Sequence, residues 1–388
     1  MRSPKSWPDT RATSVVIVTV LTQELLERIR SRAAGYDRDN AFFAEDLAEL
    51  TAAGYLAPRS LLETARDQRL LASYAPATAL GINMHLVWTG VARVLSERGD
   101  DSLDWVLADA SARELFAFGN SEPGNDLVLF DSLTQAVPSA NGSYSFTGTK
   151  IFTSLSPAWT RLGIFGRDDT DPENPKLVHG FITRETPGWT SLDDWDTLGM
   201  RATQSHTTVL EGAVVPATRV ARILPVGPSG DPFIFGIFSN FLLLIASVYA
   251  GIGDRALELG VEALGRRTSL KNDGALYSQD PDLRWRAADA ALALDALAPQ
   301  IETLAADVDN LVNHGPLWFR KLTGVKHRAT ETARYVVDQS ARLAGGGGYR
   351  SSSELARLQR DVLAGIFHPS DTESVHSTVA TSLLGPLA

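Results

Sequence analysis

The character of the chain changes twice along its length, and the order of these changes limits the folds open to it. Residues from about 24 to 107 repeat apolar side chains at helical spacing. From about 115 to 226, alternating and β-branched runs are separated by turn signals such as Asn141-Gly142. From residue 235 onward the chain is helical again, in long, alanine-rich, periodic segments. The order therefore predicts helices, then a sheet, then a helical bundle.

This order and the length of 388 residues predict more than one domain, because a chain of this size exceeds a single compact core. We expect an α+β multidomain fold in three parts: an N-terminal helical domain (22–113), a middle β-barrel-like domain (114–228) and a C-terminal four-helix bundle (234–388).

Composition excludes several kinds of site. The chain has no cysteine, so it can form no disulfide, thiolate nucleophile or cysteine-ligated zinc site. Its seven histidines are scattered without metal-ligand spacing, and we predict no metal. A net charge of −10 argues against nucleic acid or an anionic membrane as the main partner.

Two apolar stretches raise the question of targeting or membrane insertion. The segment 14–21 is short and is not followed by a small-residue cleavage site, so we expect a strand or the start of the first helix. The segment 234–252 is nearly long enough to span a bilayer, but polar residues such as Asn240 interrupt it. A buried helix is the better interpretation, and we predict a cytoplasmic protein.

Five short motifs follow one another at spacings that carry a family resemblance. They read FGNSEPGND (118–126), GTKIFTS (148–154), WDTLGMRATQSHTTVLEGAVVP (195–216), LAGGGGY (343–349) and LARLQRD (355–361). In order and spacing they resemble the signatures of the acyl-CoA dehydrogenase family. The resemblance covers nearly the whole chain and implies a flavin-dependent oxidoreductase with FAD as cofactor, or FMN if the enzyme is a monooxygenase.

A flavin ring needs polar contacts at N5 and its carbonyl edge, and apolar surface against its face. By resemblance, Ser121 contacts the ring edge, Phe152 flanks the ring and Ser154 approaches N5. The flavin-binding residues implied in these two segments are Phe118, Asn120, Ser121, Phe152, Thr153 and Ser154.

A second group resembles the contacts that the family makes to the pyrophosphate of FAD. It comprises Arg267, Ser269, Arg342, Gly345 and Gly346. A guanidinium and close backbone N–H groups suit a pyrophosphate. Arg342 stands where the family usually has glutamine, and could instead form a surface ion pair. Because family members complete this site with a neighbouring subunit, the resemblance implies a homodimer or homotetramer.

The catalytic glutamate of the family is absent from both of its known positions. Without gaps, Pro369 aligns with the glutamate that follows the terminal RD motif, and proline cannot remove a proton. Some relatives carry the base on the first helix of the bundle instead. The matching segment here, 239–242, contains no carboxylate.

Three explanations of this loss stay open. His368 could be the base, because imidazole titrates near neutrality. Asp371 or Glu373 could serve in a remodelled loop, although both suit the start of the last helix. Alternatively the reaction activates oxygen, with His85, Ser154 or His368 near the flavin. For His85, the competing interpretation is a buried core histidine whose ring nitrogens are hydrogen-bonded within the protein.

Three functions are therefore compatible with the sequence. The first is oxidation of the Cα–Cβ bond of an acyl thioester by a non-standard base, with an electron-transfer flavoprotein as partner. The second is an O2-dependent monooxygenase (hydroxylase or N-oxidase) of a small molecule, fed by a flavin reductase. The third is a catalytically degenerate flavoprotein. The predicted substrate-binding residues are Asn125, Asp126, Asn240 and Phe241.

Overall fold

The computed structural model describes residues 19–385 and Leu387. The predicted apolar segment 14–21 therefore lies mostly outside the described residues. Within them the order is helices, sheet, helices, which confirms the predicted fold class. The domain boundaries stay a prediction.

The N-terminal part is helical, and its third helix begins with a capping box. Ser60 accepts a hydrogen bond from the N–H of Glu63, whose carboxylate in turn accepts from the N–H of Ser60. The helices are α1 (Gln23–Asp39), α2 (Ala44–Ala52), α3 (Leu61–Ala72), α4 (Pro76–Ser96) and α5 (Asp104–Ser111).

The middle part is an eight-stranded sheet. Its strands are β1 (Phe116–Gly119), β2 (Gln135–Pro138), β3 (Tyr144–Lys150), β4 (Arg161–Asp168), β5 (Lys176–Thr183), β6 (Trp189–Ser191), β7 (Thr208–Val215) and β8 (Val220–Pro225). Seven strands lie in the order β6-β7-β3-β2-β4-β5-β8, and β1 pairs in parallel with β4. The sheet folds over on itself, since Val215 of β7 packs against Gly180 of β5.

The C-terminal part consists of long helices with a short two-stranded hairpin after the first. The elements are α6 (Pro232–Arg266), β9 (Thr268–Ser269), β10 (Ala275–Leu276), α7 (Pro281–Asp295), α8 (Leu297–Asp309), α9 (Leu317–Ala344), α10 (Glu354–Leu363) and α11 (Thr372–Leu384). Helices α7 and α8 follow each other with only Ala296 between them.

Helix α6 is the centre of the bundle and contains the apolar stretch noted in the sequence. Its length and composition would allow it to cross a membrane, but 83% of its most apolar window is buried inside the protein. The stretch is therefore core, as the sequence predicted. Gly253 and Gly260 let α6 approach Ala333 and Ser340 of α9 closely. In both contacts the α9 residue follows the α6 residue by the same number of positions, so the two helices run parallel.

Helix α4 connects the helices to the sheet through Trp88. The indole N–H donates to the carbonyl of Ala117 in β1 at 2.9 Å. The indole ring also covers Gly163 of β4, where an added Cβ would lie 2.4 Å from the ring. Only glycine leaves room for the tryptophan at this contact.

We predict that Gly163→Ala lowers the free energy of unfolding by about 1–3 kcal/mol, because the new methyl group displaces the Trp88 ring. Chemical denaturation followed by circular dichroism measures the change. Gly265→Ala, on an open part of α6, is the control and should be neutral or slightly stabilising. Equal stability of the two variants would contradict the packing argument.

Candidate functional site

The structure brings the first two motifs together at one end of the sheet. Ser121, just after β1, pairs with Ile151, just after β3, and the N–H of Ile151 donates to the carbonyl of Ser121 at 2.9 Å. The predicted flavin-binding segments 118–121 and 152–154 therefore lie side by side.

A buried ion pair holds the two segments in this position. Lys150 donates to the carboxylate of Glu122 at 2.5 Å, and both side chains are almost fully buried. The carboxylate also accepts from the backbone N–H groups of Leu133 and Thr134. Burial alone would raise the pKa of Glu122, but the Lys150 ammonium and these hydrogen bonds lower it to about 2. Glu122 is therefore structural and unavailable as a base.

Beside this pair lies an exposed aromatic surface. Phe152 is 54% exposed and contacts the Trp195 ring edge-on, with centroids 6.1 Å apart. Thr153 is fully buried and its hydroxyl accepts from that of Thr208. Phe152 thus offers an apolar face to a flat ligand, whereas Thr153 fixes the loop behind it.

Asn120 is a buried amide whose hydrogen-bonding groups have no partner in the described part of the chain. Its side chain is only 2% exposed, yet neither the amide oxygen nor the amide nitrogen has a hydrogen-bond partner among the described residues. Leaving a buried amide unpaired is costly, so such a group usually meets a ligand or water. An orphaned amide beside an open aromatic face fits the polar edge of a flavin.

Three hydroxyl groups form a chain with a definite direction. The hydroxyl of Thr203 donates to the carbonyl of Met200 at 2.9 Å. Ser205 lies 2.8 Å from Thr203 and 2.8 Å from Ser154. Each hydroxyl has one proton. All three bonds therefore form together only if Ser205 donates to Thr203 and Ser154 donates to Ser205, which leaves the Ser154 oxygen as an acceptor.

The terminal RD motif supports the loop that carries these hydroxyls. Asp361 accepts from the N–H of Met200 at 2.6 Å. The carbonyl of Arg360 would lie 2.3 Å from a Cβ at Gly199, so glycine is needed for this close approach. Burial raises the pKa of Asp361 to about 6.

Backbone strain is concentrated in the two loops that meet here. Four of the nine described non-glycine residues with positive φ are Phe152, Leu155, Met200 and Gln204. Such conformations each cost about 1–3 kcal/mol and persist where surrounding contacts impose them. Their clustering makes the 152–155 and 200–204 loops a candidate functional site.

The loop that carries His368 is fixed from α9. The ammonium of Lys326 donates to the carbonyls of Gly365, His368 and Ser370 at 2.8–3.0 Å. His368 is half-buried, with Nδ1 at 3.4 Å from the hydroxyl of Tyr249. Burial, with a smaller effect of Lys326, lowers the pKa of His368 to about 3. The ring is therefore neutral and only weakly basic.

The other candidates for a base are occupied or remote. Asp371 caps α11 by accepting from the N–H of Ser374 at 2.7 Å, as predicted for a helix start. Glu373 is exposed in the first turn of that helix. Asn240 donates to the carbonyl of Gly236 and packs against α4. Among the described residues, no free carboxylate stands at either of the family's positions for the base.

His85 has both ring nitrogens engaged by the backbone. Nε2 donates to the carbonyl of Leu56 at 2.9 Å, and Nδ1 accepts from the N–H of Phe116 at 3.2 Å. The side chain is fully buried, and burial lowers its pKa to about 4. This geometry favours the core-histidine interpretation over the predicted catalytic role.

The predicted pyrophosphate group lies at the C-terminal end of α6. Arg267 donates to the carbonyl of Leu343, next to Gly345. Arg342 pairs with Asp338 on the surface, which is the alternative that the sequence left open. The site lies beyond the C-terminal end of α6, about 26 Å along the helix from Tyr249. A shared site between subunits stays a prediction.

The other predicted residues have local roles or open surroundings. Asn125 donates to Glu122 and to the carbonyl of Asp131, so it shapes its own loop. Asp126 is exposed, Phe118 contacts Trp88, and Ser269 is buried in the short hairpin.

Several residues that shape the site were not singled out by the sequence. Thr203, Ser205 and Trp195 lie inside the third motif, and the Thr-x-Ser spacing is the only sign of their hydroxyl chain. Tyr249 and Lys326 lie in ordinary helices, where no sequence signal marks them.

Comparisons with known proteins find similar sequences and a similar fold. Residues 243–370 match the family model described as acyl-CoA dehydrogenase, C-terminal domain. The protein YdbM of Bacillus subtilis, whose name records a provisional assignment as an acyl-CoA dehydrogenase, is 25% identical over 92% of this chain and 94% of its own length. The amino sugar nitrososynthase RubN8 of Streptomyces rubradiris is 26% identical over 90% of this chain and 85% of its own.

A solved structure shows the same fold. The FMN-bound structure of TdsC, a dibenzothiophene monooxygenase from Paenibacillus sp. A11-2, matches with a TM-score of 0.80 at 19% identity. The match covers 94% of this chain and 96% of TdsC.

We predict that Glu122→Gln lowers the free energy of unfolding at pH 7 by about 3–5 kcal/mol, because it leaves the Lys150 charge buried without a partner. The folded-state pKa of Glu122 lies below its ordinary 4.5. Its stabilisation is therefore complete above about pH 4.5 and is lost as the pH falls towards about 2.

Denaturant titrations between pH 7 and pH 2 test this. The variant should lose less stability on acidification than the unmodified protein. Glu262→Gln, which removes an exposed helical ion pair with Arg266, is the control and should change stability by less than about 0.5 kcal/mol. Similar effects of the two substitutions would refute the role of the buried pair.

Proposed function

We propose that this chain, which belongs to the acyl-CoA dehydrogenase superfamily, is an oxygen-dependent monooxygenase of a small molecule that uses reduced flavin from a separate reductase. When bound, the reduced flavin supplies the two electrons with which one atom of O2 enters the substrate and the other leaves as water.

The observation that carries the proposal is that the groups left free at the site, among the described residues, are uncharged. Acyl thioester dehydrogenation needs a base for the α-proton, and each nearby carboxylate is engaged elsewhere: Glu122 by Lys150, Asp361 by Met200 and Asp371 by the start of α11. What stays available is an amide, a hydroxyl oxygen and a weakly basic imidazole. These groups suit hydrogen bonding to an oxygen better than removal of a proton from carbon.

The chain's own residues fit a flavin ring in this place. Phe152 offers its exposed face, and Asn120 has a donor and an acceptor that are both unpaired among the described residues. By the family resemblance, Ser121 would contact the ring edge and Ser154 would approach N5. A flavin held by these residues would meet an apolar face and polar groups at its edge.

The direction of the hydroxyl chain favours reduced over oxidised flavin. N5 of reduced flavin carries a proton that the Ser154 oxygen can accept, whereas N5 of oxidised flavin needs a donor. For Ser154 to donate instead, one of the three bonds of the chain must be given up: its own bond to Ser205, the bond from Ser205 to Thr203, or the bond from Thr203 to Met200. One such bond contributes about 1 kcal/mol, or roughly fivefold in affinity.

In this proposal the imidazole of His368 acts as a hydrogen-bond donor. Burial keeps the Tyr249 hydroxyl protonated by raising its pKa, so it can donate to Nδ1 of His368. We therefore assign the single proton of the neutral imidazole to Nε2. A neutral N–H group can hold an oxygen atom in place without taking a proton from the substrate.

The names of two of the three relatives described above support the monooxygenase proposal. One is a nitrososynthase and one is a monooxygenase, and the latter has been crystallised with FMN. Their identities of 26% and 19% leave the substrate of this chain open.

We predict that the protein binds reduced flavin at least about fivefold more tightly than oxidised flavin. Anaerobic fluorescence titration with the same flavin in both redox states measures the ratio. Thr203→Val removes the end of the hydroxyl chain, frees Ser205 to donate to Ser154 and should bring the ratio close to one. Thr190→Val, on the exposed strand β6, should leave the ratio unchanged.

The same preparation separates the two chemistries. We expect no bleaching of the oxidised, flavin-loaded protein by a panel of acyl-CoA thioesters without oxygen. Rapid anaerobic bleaching, or tighter binding of oxidised flavin, would sink the monooxygenase proposal and favour dehydrogenation.

His368→Ala should lower turnover without changing flavin content.

We also predict that Arg267→Gln weakens the binding of FAD about tenfold or more, because the guanidinium is the group best placed for the pyrophosphate. FMN lacks the adenosine monophosphate half and is the matched control, so its affinity should not change. Equal effects on FAD and FMN would show that Arg267 acts on the fold and not on the pyrophosphate.

A further inference from the structure

A cavity of about 400 Å³ opens between the start of α6 and the start of α9. Four aromatic side chains form its walls: Phe235 and Phe238 from α6, and Trp318 and Phe319 from α9. Leu242 and Leu322 line it as well. A volume of this size lies within the usual range for small-molecule sites.

The aromatic walls are held in pairs across the two helices. Phe235 and Trp318 have ring centroids 5.3 Å apart, and Phe238 and Phe319 have centroids 4.9 Å apart. Both pairs are inclined rather than stacked face to face. Such walls favour a flat, apolar ligand, which can meet ring faces and edges together.

The cavity lies on the same helix faces as the His368 loop. Along α6, Leu242 lines the cavity and Tyr249, seven residues or about 10 Å later, contacts His368. Along α9, Leu322 lines the cavity and Lys326, one turn later, holds the His368 loop. A ligand in the cavity is therefore about one or two helical turns from His368.

The loop between β1 and β2 contacts the wall of the cavity through Phe130. This residue lies in the loop that Glu122 organises, and its ring centroid is 6.1 Å from that of Phe238. Phe238 and Leu242 line the cavity from the same helix that carries Asn240 and Phe241, and a substrate contact from the latter two stays a prediction.

One charged residue lines the cavity. Arg98 places its guanidinium 5.2 Å from the centre of the Phe235 ring and donates to the carbonyl of Val94. Among the residues that the structure describes, the lining contains no aspartate, glutamate or second cation. A guanidinium at the edge of an apolar cavity suits one anionic group on a ligand.

With a single cation, this lining can pair with one anionic group and not with the several phosphates of coenzyme A. We propose that the cavity is the substrate pocket of the monooxygenase proposed above, on which this inference rests. It binds a planar, apolar system of two or three rings with one anionic group held by Arg98. Since about 150 Å³ already accommodates benzene, the volume fits such a ligand.

Isothermal titration calorimetry with naphthalene-2-sulfonate tests the inference, and 2-naphthol is the neutral ligand of the same shape. We expect one naphthalene-2-sulfonate per chain. Arg98→Gln should weaken the sulfonate about tenfold or more and leave 2-naphthol unchanged. Arg334→Gln, which breaks a surface ion pair on α9, is the matched control and should change neither affinity.

A second variant tests the walls of the cavity. Leu322→Trp fills the space between the helices and should abolish binding of both ligands, while circular dichroism checks that the protein stays folded. Sulfonate binding that survives this substitution would place the ligand elsewhere and overturn the proposal. Equal loss of both ligands in Arg98→Gln would overturn the role of the anionic group.

Binding of these ligands requires neither flavin nor oxygen, so the two proposals fail separately. Binding as expected, together with anaerobic bleaching by an acyl-CoA, leaves the pocket standing and refutes the monooxygenase. Oxygen-dependent turnover of another substrate, without binding of naphthalene-2-sulfonate, refutes the pocket alone.

Discussion

The buried pair of Glu122 and Lys150 is the interaction on which the rest of the site depends. A carboxylate and an ammonium away from water must stay together, because either one alone is strongly destabilising. One comes from the end of β1 and the other from the end of β3, so the pair fixes two loops beside each other. Asn120 lies in one of these loops, in a buried position where no described residue offers its amide a partner.

The charged groups around the site therefore serve the structure and leave neutral groups for chemistry. Asp361 supports the Met200 loop in the same way that Glu122 supports the β1 loop. The hydroxyl chain that ends at Ser154 gains its direction from one backbone carbonyl, that of Met200. A site of this kind can orient a flavin and an oxygen atom by hydrogen bonds, whereas proton abstraction from carbon would need a free base.

The parallel packing of α6 and α9 connects the cavity to this site. The same two helices that form the aromatic walls also hold the His368 loop, through Tyr249 and Lys326. A change that moves one helix along the other would therefore alter the pocket and the loop together. The close approach at Gly253 and Gly260 makes such movement costly, because packed interiors have little free space.

The sequence by itself determined the order of helices and strands, the flavin motifs and the loss of the glutamate at Pro369. These features depend on local periodicity or on motifs whose order survives in one dimension. Only the tertiary structure decided that His85 is bonded on both sides, that Asn240 faces α4, and that Phe238 and Leu242 line the cavity with Arg98. Helix phase and contacts between residues far apart in the chain set these outcomes, and neither can be read from spacing alone.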